Sequence, residues 1–178
     1  MINVTIHSAG YEQGKSTIKD INFHIQSKEI VGLIGGNGAG KSTTIQSILQ
    51  TIPFLEGKID IPTYGYVPER PILYTYYTLR EHIHFLIELI GEDLWDNALS
   101  LCKLFRLDNH LDEYPTSFSK GMQQKVMLIL AFTPNYSLYI LDEPFMGLDP
   151  QAIRRLLLLV KERKEAGAAI LISTHALD

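Results

Sequence analysis

The chain has 178 residues, which suits one domain or one domain carrying a subdomain. Its 46% hydrophobic and 20% charged residues are an ordinary globular mixture able to bury a sizeable core, and its net charge of −4 gives no bulk signal for nucleic acid or an anionic membrane as partner. Cys102 is the single cysteine, which excludes an intrachain disulfide and a cysteine metal cluster and suits a reduced, cytosolic setting. Met1 to His7 lacks the basic region and long apolar run of a secretory leader. The longest apolar runs, Val126 to Phe132 and Leu156 to Val160, fall far short of the ~20 residues that cross a bilayer, so work at a membrane would need another chain to span it.

In chain order, Met1 to Ile6 alternates as a strand does. Ser8 to Lys15 is turn-like, and its Tyr11 reads most simply as a turn aromatic packed on a hairpin. Ile18, Ile21, Phe23 and Ile25 mark a second strand that ends near Glu29. Ile30 to Ile34 is a short apolar strand leading into Gly35-Gly36-Asn37-Gly38-Ala39-Gly40-Lys41-Ser42-Thr43. Glycine, four residues, glycine, lysine and serine make the phosphate-binding loop pattern. Its glycines let successive backbone N–H groups turn inward around an anion. The helix that follows, Ser42 to Leu49, adds its positive end. Lys41 would lie along the β- and γ-phosphates, and the Ser42 hydroxyl would complete the coordination of Mg²⁺.

Pro53, Gly57 and Pro62 punctuate a short hairpin-like segment, and Gly65 to Glu69 is a strand ending in a loop. Arg70 to Tyr77 is an aromatic-rich loop. Thr78 and Glu81 have the spacing of a capping box, opening a helix from Leu79 to about Ile90 that Gly91 stops. Trp95 to about Phe105 is another helix, with Trp95, Leu99, Cys102 and Leu104 as its core residues. Phe118-Ser119-Lys120-Gly121-Met122 opens a helix running to about Phe132, closed by Pro134; alone, Ser119 reads as a cap and Gly121 as a tight entry.

Leu138 to Leu141 is a buried strand with Asp142 and Glu143 at its carboxyl end, where parallel sheets bind ligands. Asp149 and Pro150 are a natural N-cap and first-turn residue for a helix that runs to about Ala166, where Gly167 stops it. Ala168 to Ser173 is a further buried strand, ending in Thr174 and His175. There are no internal repeats and no linker.

Taken in order, Tyr11, the phosphate loop, Gly65-Tyr66-Val67-Pro68-Glu69, Ser119-Lys120-Gly121-Met122-Gln123-Gln124, Leu141-Asp142-Glu143-Pro144, Gly147-Leu148-Asp149 and Ser173-Thr174-His175 resemble the nucleotide-binding domain of ABC transporters, almost from end to end. The resemblance implies an α/β fold of the P-loop NTPase type. A mostly parallel core sheet would carry an N-terminal antiparallel β-subdomain and an inserted helical subdomain at about 79–133, all within one domain over residues 1–178. It implies ATP and Mg²⁺ as cofactors. Tyr11 would stack on adenine, Gly35 to Thr43 hold the triphosphate, and Ser42 and Asp142 serve the metal. Glu143 would be the general base for the attacking water, Lys41 would steady the phosphates, and His175 would contact the γ-phosphate. Ser119 and Gly121 would reach the γ-phosphate of a second subunit, and Asp149 falls in the loop that joins the two.

Three departures stand out. The usual glutamine after the middle strand is Glu69, which still offers an oxygen to Mg²⁺ or water. The usual glycine pair reads Lys120-Gly121, with Met122 in place of a glutamine; together with Glu69 this looks like the bacterial export-type branch. The chain also stops three residues after His175, where family domains continue, so truncation is expected. The expected function is an ATP-hydrolysing motor subunit that pairs with a second ATP-binding subunit, itself or a related chain. It would drive a transmembrane permease from the cytoplasmic face, and Leu73 to Tyr77 either dock that partner or cap the helical subdomain. The rival readings are a soluble ABC-type ATPase acting on nucleic acid or ribosomes, and a nucleotide-binding fragment without turnover; no tandem copy, coiled-coil insert or basic patch supports the former.

Overall fold

The computed structural model describes residues 2–175. The first three strands are β1 (Ile2–Gly10), β2 (Ile18–Ile25) and β3 (Ile30–Ile34), followed by α1 (Lys41–Ile48). Next come β4 (Phe54–Asp60), β5 (Tyr64–Val67), α2 (Leu79–Ile90), α3 (Trp95–Phe105) and α4 (Lys120–Phe132). The chain then forms β6 (Leu138–Asp142), α5 (Pro150–Glu165) and β7 (Ala169–Thr174). Two sheets result: an antiparallel one in the order β2-β1-β4 and a parallel one in the order β3-β7-β6-β5. This is the α/β arrangement anticipated, with an antiparallel N-terminal layer beside a parallel core.

Two cores share the parallel sheet. Alternation sends Leu138, Ile140, Ala169 and Leu171 to one face, where they meet α1 through Ile45 and Ile48 and the antiparallel sheet through Ile2, Val4 and Ile6. Tyr139, Leu141 and Ile170 point to the other face and pack with α3, α4 and α5, including Phe105, Val126, Ile129 and Leu156. Strand β6 is buried throughout, as a central parallel strand must be.

The helix ends obey local rules. Thr78 Oγ1 accepts from the Glu81 backbone N–H at 3.2 Å while Glu81 accepts from the Thr78 N–H at 2.7 Å, completing the capping box of α2. Gly91 closes that helix with φ +76°, a left-handed conformation that a side chain would strain. Asp149 caps α5 by accepting from the Ala152 N–H at 2.9 Å, and Pro150 follows at the first helical position. Among the described residues no helix is long and apolar enough to cross a membrane.

Three local expectations change. Strand β1 runs on to Gly10, past the supposed turn, with a register shift between Ile6 and Ser8. Residues 54–60 are one strand instead of a hairpin, because their partner is β1, some fifty residues earlier (Asn3 opposite Asp60). Pro53 and Pro62 flank that strand, and Gly57 sits inside it; a Cβ there would meet the Thr5 carbonyl oxygen at 2.1 Å. On α3 the buried stripe is Ala98, Leu101, Cys102 and Phe105, at helical i, i+3, i+4, i+7 spacing. Trp95 and Leu104 flank it only partly buried. Trp95 stacks on His84 with centroids 4.8 Å apart, under the Arg80 guanidinium at 5.5 Å. The aromatic loop divides: Tyr74 and Tyr77 pack on Phe85 and His82 of α2, whereas Tyr76 and Ile72 stand exposed.

Candidate functional site

The phosphate loop joins the carboxyl end of β3 to α1. Helices α2, α4 and α5 each carry a capping side chain, from Thr78, Ser119 and Asp149. Helix α1 has none: its N-cap is Gly40, at φ +93°, and its first turn holds no acid. Its leading N–H groups are therefore left for an external acceptor. Gly40 also has no room for a side chain, since a Cβ would lie 2.8 Å from Ile18 Cγ2. A cavity of about 340 Å³ opens over this loop, lined by Asn37 to Thr43, with Thr17, Glu69 and Glu143 across from them. Lys41 Nζ turns back to donate to the carbonyls of Gly35 and Gly36. Tyr11 is half exposed and does not line the cavity; its hydroxyl lies 3.4 Å from Thr43 Oγ1.

The carboxyl ends of β6 and β7 bring the acids. Asp142 is paired in register with Ser173, and both are buried. The Ser173 hydroxyl donates to Asp142 Oδ1 and accepts from the Glu143 N–H at 3.1 Å. The same N–H points to the Ser173 carbonyl at 3.2 Å. Held this way, Glu143 adopts φ +47°, a conformation that costs a non-glycine residue about 1–3 kcal/mol. The turn aims its side chain back at the cavity. One carboxylate oxygen lies 3.9 Å from Lys41 Nζ and the other 2.9 Å from His175 Nδ1.

This corner is crowded with negative charge. Burial raises the Asp142 pKa above the ordinary carboxylate value; the Ser173 hydrogen bond opposes the shift, while Glu69 and Glu143 reinforce it. Tyr66, two residues before Pro68 on β5, is pushed up to about 12 by burial and then by Asp142 and Glu69. A divalent cation would offset this repulsion. The available donors, the Ser42 hydroxyl and the Asp142 and Glu69 carboxylates, are all hard oxygens that suit Mg²⁺. No cluster of three or more metal-binding His, Cys, Asp or Glu side chains occurs among the described residues.

Ser119 and Gly121 do not line this cavity. Ser119 caps α4 by accepting from the Met122 N–H at 3.2 Å. Gly121 packs on the loop after β6, where a Cβ would come 2.4 Å from the Gly147 carbonyl oxygen. The Gln124 side-chain amide donates to the Pro144 carbonyl at 3.2 Å, and Lys125 pairs with Asp149 at 3.0 Å. Thr17, and the role of Ser173 in holding the two acids, escaped the sequence reading. Thr17 carries no motif signal. Ser173 had one: strand alternation from Ala169 and Leu171 puts it on the Asp142 face.

A family model described as "ABC transporter" matches residues 18–146. The chain belongs to the ABC transporter family. It is 42% identical over 183 residues to YthP of Bacillus subtilis (strain 168), an uncharacterized ABC transporter ATP-binding protein, covering 100% of this chain and 78% of that one. It is 39% identical over 193 residues to the ABC-type transporter ATP-binding protein EcsA of the same organism, covering 99% and 78%. A solved ATP-binding subunit of an ABC transporter superposes with a TM-score of 0.94 at 40% identity, over 99% of this chain and 80% of that one. Membership of this family implies that the chain binds ATP.

Proposed function

We propose that this protein is the ATP-hydrolysing motor subunit of an ABC transporter, and that Glu143 is its general base. The observation that carries the reading is the placement of the Glu143 carboxylate, 3.9 Å from the phosphate-loop lysine and 2.9 Å from His175. A carboxylate so positioned can accept a proton from water attacking a phosphate held by Lys41, while His175 steadies its other oxygen and faces the γ-phosphate. Gly35, Gly36, Asn37, Gly38, Ala39, Gly40, Ser42 and Thr43 cradle the triphosphate, with Tyr11 stacking on adenine. Ser42, Asp142 and Glu69 would hold Mg²⁺, which would supply charge neutralisation for the bound phosphates. The rest falls to the protein: Lys41 orients, the bare start of α1 binds, and Ser173 holds Asp142 and Glu143 in place.

Ser119 and Gly121 lie away from their own chain's cavity, which supports their service to a second subunit's ATP. Two ATP-binding subunits would close on nucleotide and open after hydrolysis. The exposed Ile72 and Tyr76 would dock a transmembrane permease, keeping the motor on the cytoplasmic face. Export is the direction proposed. The helical subdomain would run from about 79 to 133 within a single ABC domain. The test is ATP turnover with Mg²⁺ in the full-length protein and in Glu143→Gln. The variant should bind ATP normally and lose ~10²–10⁴-fold in turnover; parental turnover in the variant refutes the assignment of the base.

A further inference from the structure

The buried residues of α2 are Leu79, His82 and Ile83, so an imidazole stands in a stripe where an apolar side chain is the usual occupant. Both of its ring nitrogens meet backbone. Nδ1 lies 2.8 Å from the Thr78 carbonyl oxygen, and Nε2 lies 3.0 Å from the Tyr74 backbone nitrogen. A carbonyl only accepts and a backbone N–H only donates, so the proton sits on Nδ1 and Nε2 is bare. A ring carrying both protons would set two donors against each other at Tyr74. Little else ties this loop down. Across residues 70–77 the other backbone hydrogen bond to a neighbouring element, among the described residues, runs from the Ile72 N–H to the Met127 sulfur on α4 at 3.4 Å, and a thioether is a weak acceptor. The Tyr77 N–H closes a turn onto the Tyr74 carbonyl at 3.2 Å. The Tyr74 and Tyr77 rings pack around His82 and Phe85, and Ile72 and Tyr76 are left facing solvent.

We propose that His82, as the neutral Nδ1–H tautomer, is a positioning residue for the surface that receives the transmembrane partner. Its ring fixes Tyr74, the turn from Tyr74 to Tyr77 is built on that point, and Tyr76 is presented from within the turn. The docking half rests on the permease reading above; the tautomer and the hold on Tyr74 do not. The role belongs to the acceptor nitrogen and not to the ring's bulk. Leucine would fill much of the volume yet leave the Tyr74 N–H without its acceptor, whereas glutamine would return an acceptor oxygen on a side chain of similar reach. His82 does not line the phosphate cavity, so either change leaves the ATP site as it is.

The test uses the full-length protein. Nitrogen NMR of the imidazole rings at neutral pH should show His82 protonated on Nδ1 alone; an Nε2–H ring or a doubly protonated one overturns the assignment. Amide hydrogen exchange at Tyr74 should quicken about 3- to 10-fold in His82→Leu and return toward the parent rate in His82→Gln, with the interior amides of α2 unmoved in both. A Tyr74 amide that does not respond, that glutamine does not rescue, or that quickens only with the whole helix overturns the positioning role. Docking is read in the whole transporter, purified with its own membrane subunit and carrying a photo-crosslinking benzoylphenylalanine in place of Tyr76. The parent should crosslink to the membrane subunit, His82→Leu should lower the yield about 3-fold or more, and His82→Gln should keep it. Equal yields in all three overturn the link between His82 and docking. No crosslink in the parent refutes the permease reading, and the amide exchange still decides the hold on Tyr74.

Discussion

Replacing Ser173 with alanine removes one oxygen from a fully buried position and tests the architecture of the acidic corner. The Glu143 N–H keeps an acceptor, the Ser173 carbonyl at 3.2 Å. Asp142 does not keep its donor: the hydroxyl on Oδ1 is lost. A buried hydrogen bond to a charged group is worth about 1.5–3 kcal/mol, which for a domain of this size lowers Tm by roughly 3–12 °C. The loss carries a pH signature. Burial has already raised the Asp142 pKa, and the hydroxyl opposes that rise. Without it the folded-state pKa climbs further above the unfolded value. A carboxyl raised in the folded state costs stability once ionised, and the cost vanishes as pH falls through that folded pKa. The deficit of Ser173→Ala should therefore be largest at pH 8 and shrink toward pH 4.5. Urea melts of both proteins across that range measure it. A deficit that stays constant with pH, or no deficit, refutes the claim that Ser173 supports an ionised Asp142.

Asp142→Asn should hold or raise the Tm of the nucleotide-free protein at pH 8, because it removes the buried charge and keeps an acceptor for Ser173; in thermal melts with Mg-ATP it should lose the metal-dependent part of the ligand-induced shift. Gly121→Ala should destabilise by about 1–3 kcal/mol, since its Cβ would have to displace the Gly147 carbonyl from 2.4 Å, and calorimetry reads the change. Thr78→Ala should cost about 1 kcal/mol through the lost cap on α2, visible in urea unfolding.

What the sequence could reveal depended on how local the cause was. The α2 capping box, the Asp149-Pro150 start of α5 and the Gly91 and Gly167 stops were legible because each is decided within a few residues. The single strand at 54–60 was not, because its pairing partner begins near residue 3 and no local pattern announces it. The α3 stripe was read only in part: Cys102 lies in it, whereas Trp95 and Leu104 look like core yet lie at its margins. In the site, the loop and both acids were readable as motifs. The strain at Glu143 and the bridging role of Ser173 needed the register between β6 and β7.

The strand that presents the phosphate loop has one strand partner among the described residues, β7, with Ile30 opposite Ile170 and Ile34 opposite Thr174. The loop is thus encoded early and secured late. A growing chain can make residues 30–43 long before it makes the strand that holds them in a sheet, and such distant pairings form slowly. Residue 173 on that late strand also clamps the acids. Nucleotide capture by a nascent or clipped chain would then report that β7 has docked, making ligand binding a readout of completed folding.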